Sequence, residues 1–381
     1  MISAIPDWVR FPDLDEEMPA ITPEEAGLDV ARWNAWLAEQ NPYGEGYGGD
    51  DHSGDRWGAV LARGGCVIQT WGHPGFQYQT ASVGKCFTRM VLQLAVDEGL
   101  IGSANDLIKN YWTGEDQLNG RHKYLNQGHH NTLTFSHLAN MFGGFPVTDT
   151  YSWVNRLEQY PGVPSWANWT GDSDYDNYAH TAPRDHDVCY TRGGHWSISG
   201  KLAAAAKQFD RDFHYSSGGY WRLSQALTAI WNKDIKQVLD EKIMSKIGIR
   251  ADAWEWLPGK VVHDDLHPLF RFYPDRPDYG LYIDPPYEIN GYVVRVGPGC
   301  VVMNARQLAR VGLLIATGGW CNGKRLISDL EGFHSVNGIT SGTGVKHGTE
   351  LYCSWGGVAT KGLDFDNGPP PDLFVGPMIQ P

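Results

Sequence analysis

The residues best equipped for chemistry are Ser82 and Lys85, within Thr80-Ala81-Ser82-Val83-Gly84-Lys85. Downstream, Met90, Val91, Leu94 and Ala95 are spaced for one face of a helix, and Gly99 is placed to stop it. A serine and a lysine three positions apart at a helix start share a face and come within contact range. A serine hydroxyl is a poor nucleophile until something removes its proton. A lysine held away from water can take part in that transfer, directly or through a neighbour. The helix amino terminus adds partial positive charge and free N–H groups, which favour an oxyanion. The pair is the sole S-x-x-K of the chain. The residues by themselves leave a plainer alternative open, a capping serine beside a solvated lysine.

A second candidate is Tyr215-Ser216-Ser217, between Phe213-His214 and Gly218-Gly219-Tyr220. A tyrosine among small residues, on a loop before a helix, can point its hydroxyl into a cleft. Beside a lysine cation its phenolate is stabilised and can act as a general base. Taken alone, a buried structural tyrosine is the competing reading. Tyr151, Trp153, Trp166, Trp169, Tyr175, Tyr178 and Trp196 form an aromatic-rich stretch, suited to an apolar binding pocket or to anchoring loops.

The elements that must position these groups are unevenly spread. Residues 1–25 read as an extended, Pro- and acid-rich lead-in, with Thr22-Pro23-Glu24-Glu25 as a helix start. Strand-like runs Trp57–Ala62 and Cys66–Trp71 flank Arg63-Gly64-Gly65, a hairpin signal. The spacing predicts short helical pieces such as 133–141, a helix–break–helix over 220–247, a strand over 291–303 and a helix over 304–317. Strands at both ends of the chain imply a sheet built from sequence-distant segments. The expected class is α+β: an antiparallel sheet flanked by helices, with an inserted, mostly helical domain. The expected division is 26–88 with 288–381 as the sheet domain and 89–287 as the helical, loop-rich insertion.

The two motifs together resemble the serine β-lactamase and penicillin-binding-protein family, most closely its class C, D-alanyl carboxypeptidase and family VIII esterase branch. The resemblance is one of order and spacing. Thr80 to Lys85 is similar to the nucleophile motif, and Glu98-Gly99-Leu100 to Trp112 to the segment after it. Leu133 to Leu138 resembles the next helix, with the following H-T-S-G altered to Asn140-Met141-Phe142-Gly143-Gly144. Tyr215-Ser216-Ser217 is similar to Y-x-N, and Gly297-Pro298-Gly299-Cys300 through Ser328 to a late strand–helix segment. The resemblance implies that Ser82 is the acylated nucleophile, with its own N–H as half of an oxyanion hole. It implies that Lys85 is the proton-transfer partner and Tyr215 the base that returns the proton to the leaving group. Ser217 stands where the family has asparagine, a change closer to esterases than to β-lactamases.

No K-T-G occurs. Asp372-Leu373-Phe374-Val375-Gly376 resembles the start of the strand that carries the third motif and the second oxyanion donor, which puts Gly376 among the expected substrate-binding residues; Lys361-Gly362 and His347-Gly348-Thr349 are weaker candidates, and the expectation is loss of a full oxyanion hole. The sequence given stops five residues after Gly376, so the expectation is either a shortened set of C-terminal strands or a diverged one. Loss of one oxyanion donor costs on the order of 10²–10³ in rate.

The expected function is hydrolysis of small carboxylic esters through an acyl-enzyme, with amides or D-alanyl peptides next. Trp153, Trp169 and Ser217 are expected to contact substrate, and no cofactor or metal is required. The alternative is a catalytically impaired binding protein that keeps the fold and an aromatic cleft.

Composition narrows the partners. Lys and Arg total 31 against 44 Asp and Glu, a formal net charge of −13. Such a chain repels phosphate backbones and anionic membrane surfaces, so neither nucleic acid nor membrane is an expected partner. No apolar run is long enough to span a bilayer, and no secretion signal is visible, so the expected location is cytoplasmic. The six cysteines are scattered, without C-x-x-C, and read as free thiols. Asp172-x-Asp174-x-Asp176 lacks the glycine and bidentate glutamate of a calcium loop. His129-His130 lacks partners at metal spacing, and H-E-x-x-H and G-x-S-x-G are absent. Oligomeric state is not legible.

Overall fold

Gly64 and Gly65 take φ of 62° and 96°, conformations that L side chains rarely adopt. Their two-residue turn folds β1 (Gly58–Arg63) onto β2 (Cys66–Gly72) as an antiparallel hairpin pairing Arg63 with Cys66. The computed structural model describes residues 5–39, 58–80, 83–112, 133–140, 217–259 and 288–328. The N-terminal segment runs along this hairpin. Arg10 N–H donates to the Gly64 carbonyl, and Val67 exchanges backbone hydrogen bonds with Pro19 and Ile21.

The helix expected from Thr22 begins later. Thr22 and Glu25 exchange side-chain-to-backbone hydrogen bonds (2.7 and 3.2 Å) that close a single turn ending at Gly27, φ 72°. A glycine there costs little in the turn and much in a helix. Helix α1 is Val30–Glu39, and Asp29 accepts from the N–H groups of Ala31 and Arg32. Its Trp33 and Trp36 pack with Ile21, Leu28 and Cys66 in a small apolar cluster.

The second sheet is built from distant segments. β3 (Tyr78–Gln79), β4 (Glu255–Trp256) and β7 (Val301–Met303) form an antiparallel sheet in the order β3-β7-β4. The strand expected over 291–303 is broken. It supplies β6 (Tyr292–Val293), which pairs with β5 (Glu288–Ile289), then a loop, then β7. The interruption is Gly297-Pro298-Gly299, since proline lacks a ladder donor and glycine weakens a strand.

Helix α2 (Gly84–Asp97) crosses the core, with Phe87, Met90, Val91 and Leu94 buried. It stops as predicted: Gly99 has φ 72°, and Gly99 and Leu100 donate to the carbonyls of Val96 and Ala95. α3 (Phe135–Ala139) packs against α4 (Ser217–Trp231), and α4 against α2. The break expected after α4 falls at Asn232, φ 46°, before Asp234 caps α5 (Ile235–Lys242). α6 (Ala305–Ala316) starts from Asn304 and Gln307 in a reciprocal capping box and packs on β1. The chain ends its described portion in a hairpin of β8 (Trp320–Cys321) and β9 (Lys324–Arg325). The described residues are thus helices with small antiparallel sheets around one large apolar core containing Trp112, Trp221 and Trp256.

Candidate functional site

Thr80, Gly84, Lys85 and Thr88 lean in turn on Val301, Gly299, Pro298 and Gly297, in opposite chain order. Thr80 donates from both its N–H (2.8 Å) and its hydroxyl (2.9 Å) to the Val301 carbonyl. Gly84 lies against Gly299 so closely that a Cβ on residue 84 would sit 2.6 Å from the Gly299 Cα. Lys85 Nζ donates to the Pro298 carbonyl at 2.8 Å, and Thr88 Oγ1 to the Gly297 carbonyl at 2.6 Å. One turn and a half of α2 is thereby fixed to a loop more than two hundred residues away.

The loop has its own supports. The Trp256 indole N–H donates to the carbonyls of Val296 and Gly299 (2.9 and 3.1 Å). Val296 and Leu257 share a backbone bond, and Leu257 N–H donates to the Cys300 carbonyl. Ser224 Oγ, on α4, donates to the Arg295 carbonyl at 2.6 Å. Gly297 abuts the backbone of α4: a Cβ there would meet the Tyr220 carbonyl oxygen at 2.3 Å. Buried Cys300 sits at φ 59°, a left-handed conformation costly for a non-glycine residue.

Lys85 is fully buried. Its Nζ lies 5.5 Å from the centroid of the Tyr220 ring, itself fully buried on α4. The Tyr220 hydroxyl donates to the Ala139 carbonyl at 2.5 Å, tying α4 to the end of α3. A second tie runs from Arg89 Nη2 to Asn140 Oδ1 (3.1 Å), and Asn140 Nδ2 donates back to the Ser136 carbonyl. Lysine is almost never fully buried without a compensating environment. Around this one, the Pro298 carbonyl oxygen and the negative ring face of Tyr220 both favour a cation. The solvated-lysine alternative is overturned, because α2 turns its first-turn face into the core rather than to water.

Of the residues singled out from the sequence, the structure sets Lys85 beside α4, and Ser217 is the first residue of that helix. Ser82, Tyr215, Trp153, Trp169 and Gly376 lie outside the described residues, as do the 151–196 aromatic stretch and the 372–376 strand candidate. In sequence, Ser82 directly precedes Val83, the residue before α2, and Tyr215 precedes the start of α4 by two positions.

Sequence reasoning missed Pro298, Thr88 and Tyr220. The doubled glycine around Pro298 was the available signal, since paired glycines mark close backbone approach. Nothing in the spacing of Tyr220 distinguishes it from an ordinary core aromatic. A separate open cavity of about 730 Å³ lies between the N-terminal segment and the β8–β9 turn. Arg10, Phe11, Trp320 and Asn322 line it, and Lys85 does not. Among the described residues, no helix is long and apolar enough to cross a membrane.

No protein-family model and no curated protein matches the chain. Solved structures do align with it. One is a protein assigned as a 6-aminohexanoate-dimer hydrolase from Bacillus anthracis, at 15% identity and a TM-score of 0.47, covering 90% of this chain and 74% of that one. Another is the octameric penicillin-binding protein homologue from Pyrococcus abyssi, at 14% identity and a TM-score of 0.42, covering 79% and 58%. A third is a family VIII carboxylesterase, at 17% identity and a TM-score of 0.36, covering 71% and 62%. The chain thus spans less than two thirds of the last two. The second and third are named as a penicillin-binding-protein homologue and a family VIII carboxylesterase, names that belong to the family resembled in sequence. At these identities no residue's role transfers from them.

Proposed function

We propose that the chain is a serine hydrolase that works through an acyl-enzyme, with small carboxylic esters as substrates and amides or D-alanyl peptides next. The observation that carries the reading is the fully buried Lys85, held three positions after Ser82 at the start of α2. A buried ammonium is costly, and the sequence places a serine hydroxyl where a helical turn would bring it alongside.

In the proposed reaction the Ser82 Oγ attacks the ester carbonyl carbon and gives up its proton to the Tyr215 phenolate, which the Lys85 cation stabilises. The Oγ–C bond forms, the bond to the alcohol oxygen breaks, and Tyr215 returns the proton to the departing alkoxide. Water then gives a proton to Tyr215 as its oxygen bonds to the acyl carbon, the bond from that carbon to Ser82 Oγ breaks, Tyr215 returns the proton to Ser82 Oγ, and the carboxylic acid leaves. Ser82 N–H serves the oxyanion as one donor, while Trp153, Trp169, Ser217 and Gly376 contact the substrate. Neither metal nor cofactor takes part.

The test is hydrolysis of p-nitrophenyl acetate by the wild type and by Ser82→Ala. Release of p-nitrophenol that disappears in the variant supports the reading. Equal background from both favours instead a binding protein that keeps the fold and an aromatic cleft.

A further inference from the structure

We infer that the ring face of Tyr220 is the positioning element that holds Lys85 as a cation in the acylation step. The inference rests on the proposed function, because it deepens the part played by Lys85. Three observations on the described residues combine. The Lys85 Nζ stands 5.5 Å from the Tyr220 ring centroid, inside the range where a ring quadrupole attracts a cation. Both groups are fully buried, so water neither screens the attraction nor replaces it. The residue is held at its side chain and at its backbone: its hydroxyl donates to the Ala139 carbonyl at 2.5 Å, and its backbone carbonyl lies against Gly297.

The last contact makes the arrangement a unit. Gly297 precedes Pro298, whose carbonyl accepts from Lys85. Any side chain at 297 would push Tyr220 and the loop apart. The loop therefore supplies the acceptor and also abuts the α4 backbone that carries the ring, so both sides of the ammonium's environment depend on it. Held there as a cation, Lys85 supports the Tyr215 phenolate that takes the Ser82 proton. Tyr220 touches no reacting atom in this scheme; it acts through Lys85.

The test replaces Tyr220 by phenylalanine and by its 4-fluoro, 3,5-difluoro and 3,4,5-trifluoro analogues in the full chain. Fluorination drains the ring face of negative charge with little change of shape. The readout is the rate of Ser82 labelling by a fluorophosphonate, followed by mass spectrometry, beside the thermal midpoint of each variant. We expect Tyr220→Phe to label within about threefold of wild type, and the rate to fall stepwise with fluorine content by roughly tenfold in all, with midpoints level across the series. Tyr220→Leu should lose at least as much rate as the trifluoro protein, and serves as a coarse check. A flat labelling rate across the fluorine series overturns the inference while leaving the hydrolase reading intact. A wild type whose Ser82 takes no label overturns both, and is told apart because it shows before any substitution is made.

Discussion

The Lys85 ammonium donates to the carbonyl of Pro298, a residue 213 positions later in the chain, at 2.8 Å. The bond joins the first turn of α2 to the loop that interrupts the 288–303 region, and Thr88 repeats the contact one turn on. Lys85→Met keeps the length of the side chain and removes the charge. The substitution removes the cost of burying a charge but leaves the Pro298 carbonyl without that donor, so urea unfolding should show a loss of about 1–3 kcal/mol. The rate of p-nitrophenyl acetate hydrolysis should fall by about 10²–10⁴, the range for a proton-transfer partner. A drop in stability with activity kept would reverse the assignment.

Gly84 is the position where α2 meets the loop most closely. A methyl group there would meet Gly299 Cα at 2.6 Å and its carbonyl carbon at 2.7 Å, both backbone atoms with little room to retreat. Gly84→Ala gains helix propensity of about 1 kcal/mol, yet the clash should cost about 1–3 kcal/mol. We expect a net loss of stability in urea and a slower labelling of Ser82, because the substitution wedges Lys85 away from Pro298. Stabilisation by alanine at this site would mean that the approach is looser than the structure has it.

Asn322 is one of the side chains that latch the N-terminal segment, beside Arg310, which donates to the Glu16 carbonyl. Asn322 accepts from the Phe11 N–H at 2.9 Å and donates to the Phe11 carbonyl at 3.2 Å. Asn322 and Gly323 also form the β8–β9 turn, with φ of 45° and 80°, the backbone that an Asn-Gly pair favours. Asn322→Gly preserves the turn and removes its two bonds to Phe11. It should lower stability by about 1–2 kcal/mol and speed proteolytic cleavage between residues 5 and 16. Unchanged cleavage would show that the backbone bonds of Arg10 and Val67 hold the segment without it.

How much of this was legible in the residues can be judged element by element. The Gly64-Gly65 hairpin, the stop of α2 at Gly99 and the start of α6 at Asn304 follow from local chemistry, and local chemistry decides them. Thr22-Pro23-Glu24-Glu25 has every mark of a helix start, but Gly27 ends the turn before a helix can grow, and Asp29 caps the real one. The 291–303 run reads as a strand because its side chains are apolar. The loop within it exists because α2 and α4 must approach its glycines, a tertiary demand that no window of sequence contains. The same limit applies to Lys85. Spacing puts it beside Ser82, whereas its burial depends on Tyr220 and Pro298, which come from other parts of the chain.

Burial raises the Cys321 thiol from its ordinary value near 9 to about 11, and pushes Cys66 up as well. A group whose pKa is raised on folding lends stability that is whole below the unfolded value and lost as pH climbs through the folded one. The thermal midpoint should therefore decline between pH 9 and about pH 11, and Cys321→Ala should flatten that decline. At pH 8 the native protein should leave Cys321 and Cys66 unmodified by a disulfide reagent, and react at both once unfolded. Rapid native reaction at Cys321 would contradict its burial.

The most direct test of the central claim is intact-mass and peptide mass spectrometry after exposure to a fluorophosphonate. A single adduct is expected on the peptide that contains Ser82, absent from Ser82→Ala and formed about 10²–10⁴ more slowly in Lys85→Met. An adduct on another residue, or one that persists unchanged in Ser82→Ala, would contradict it.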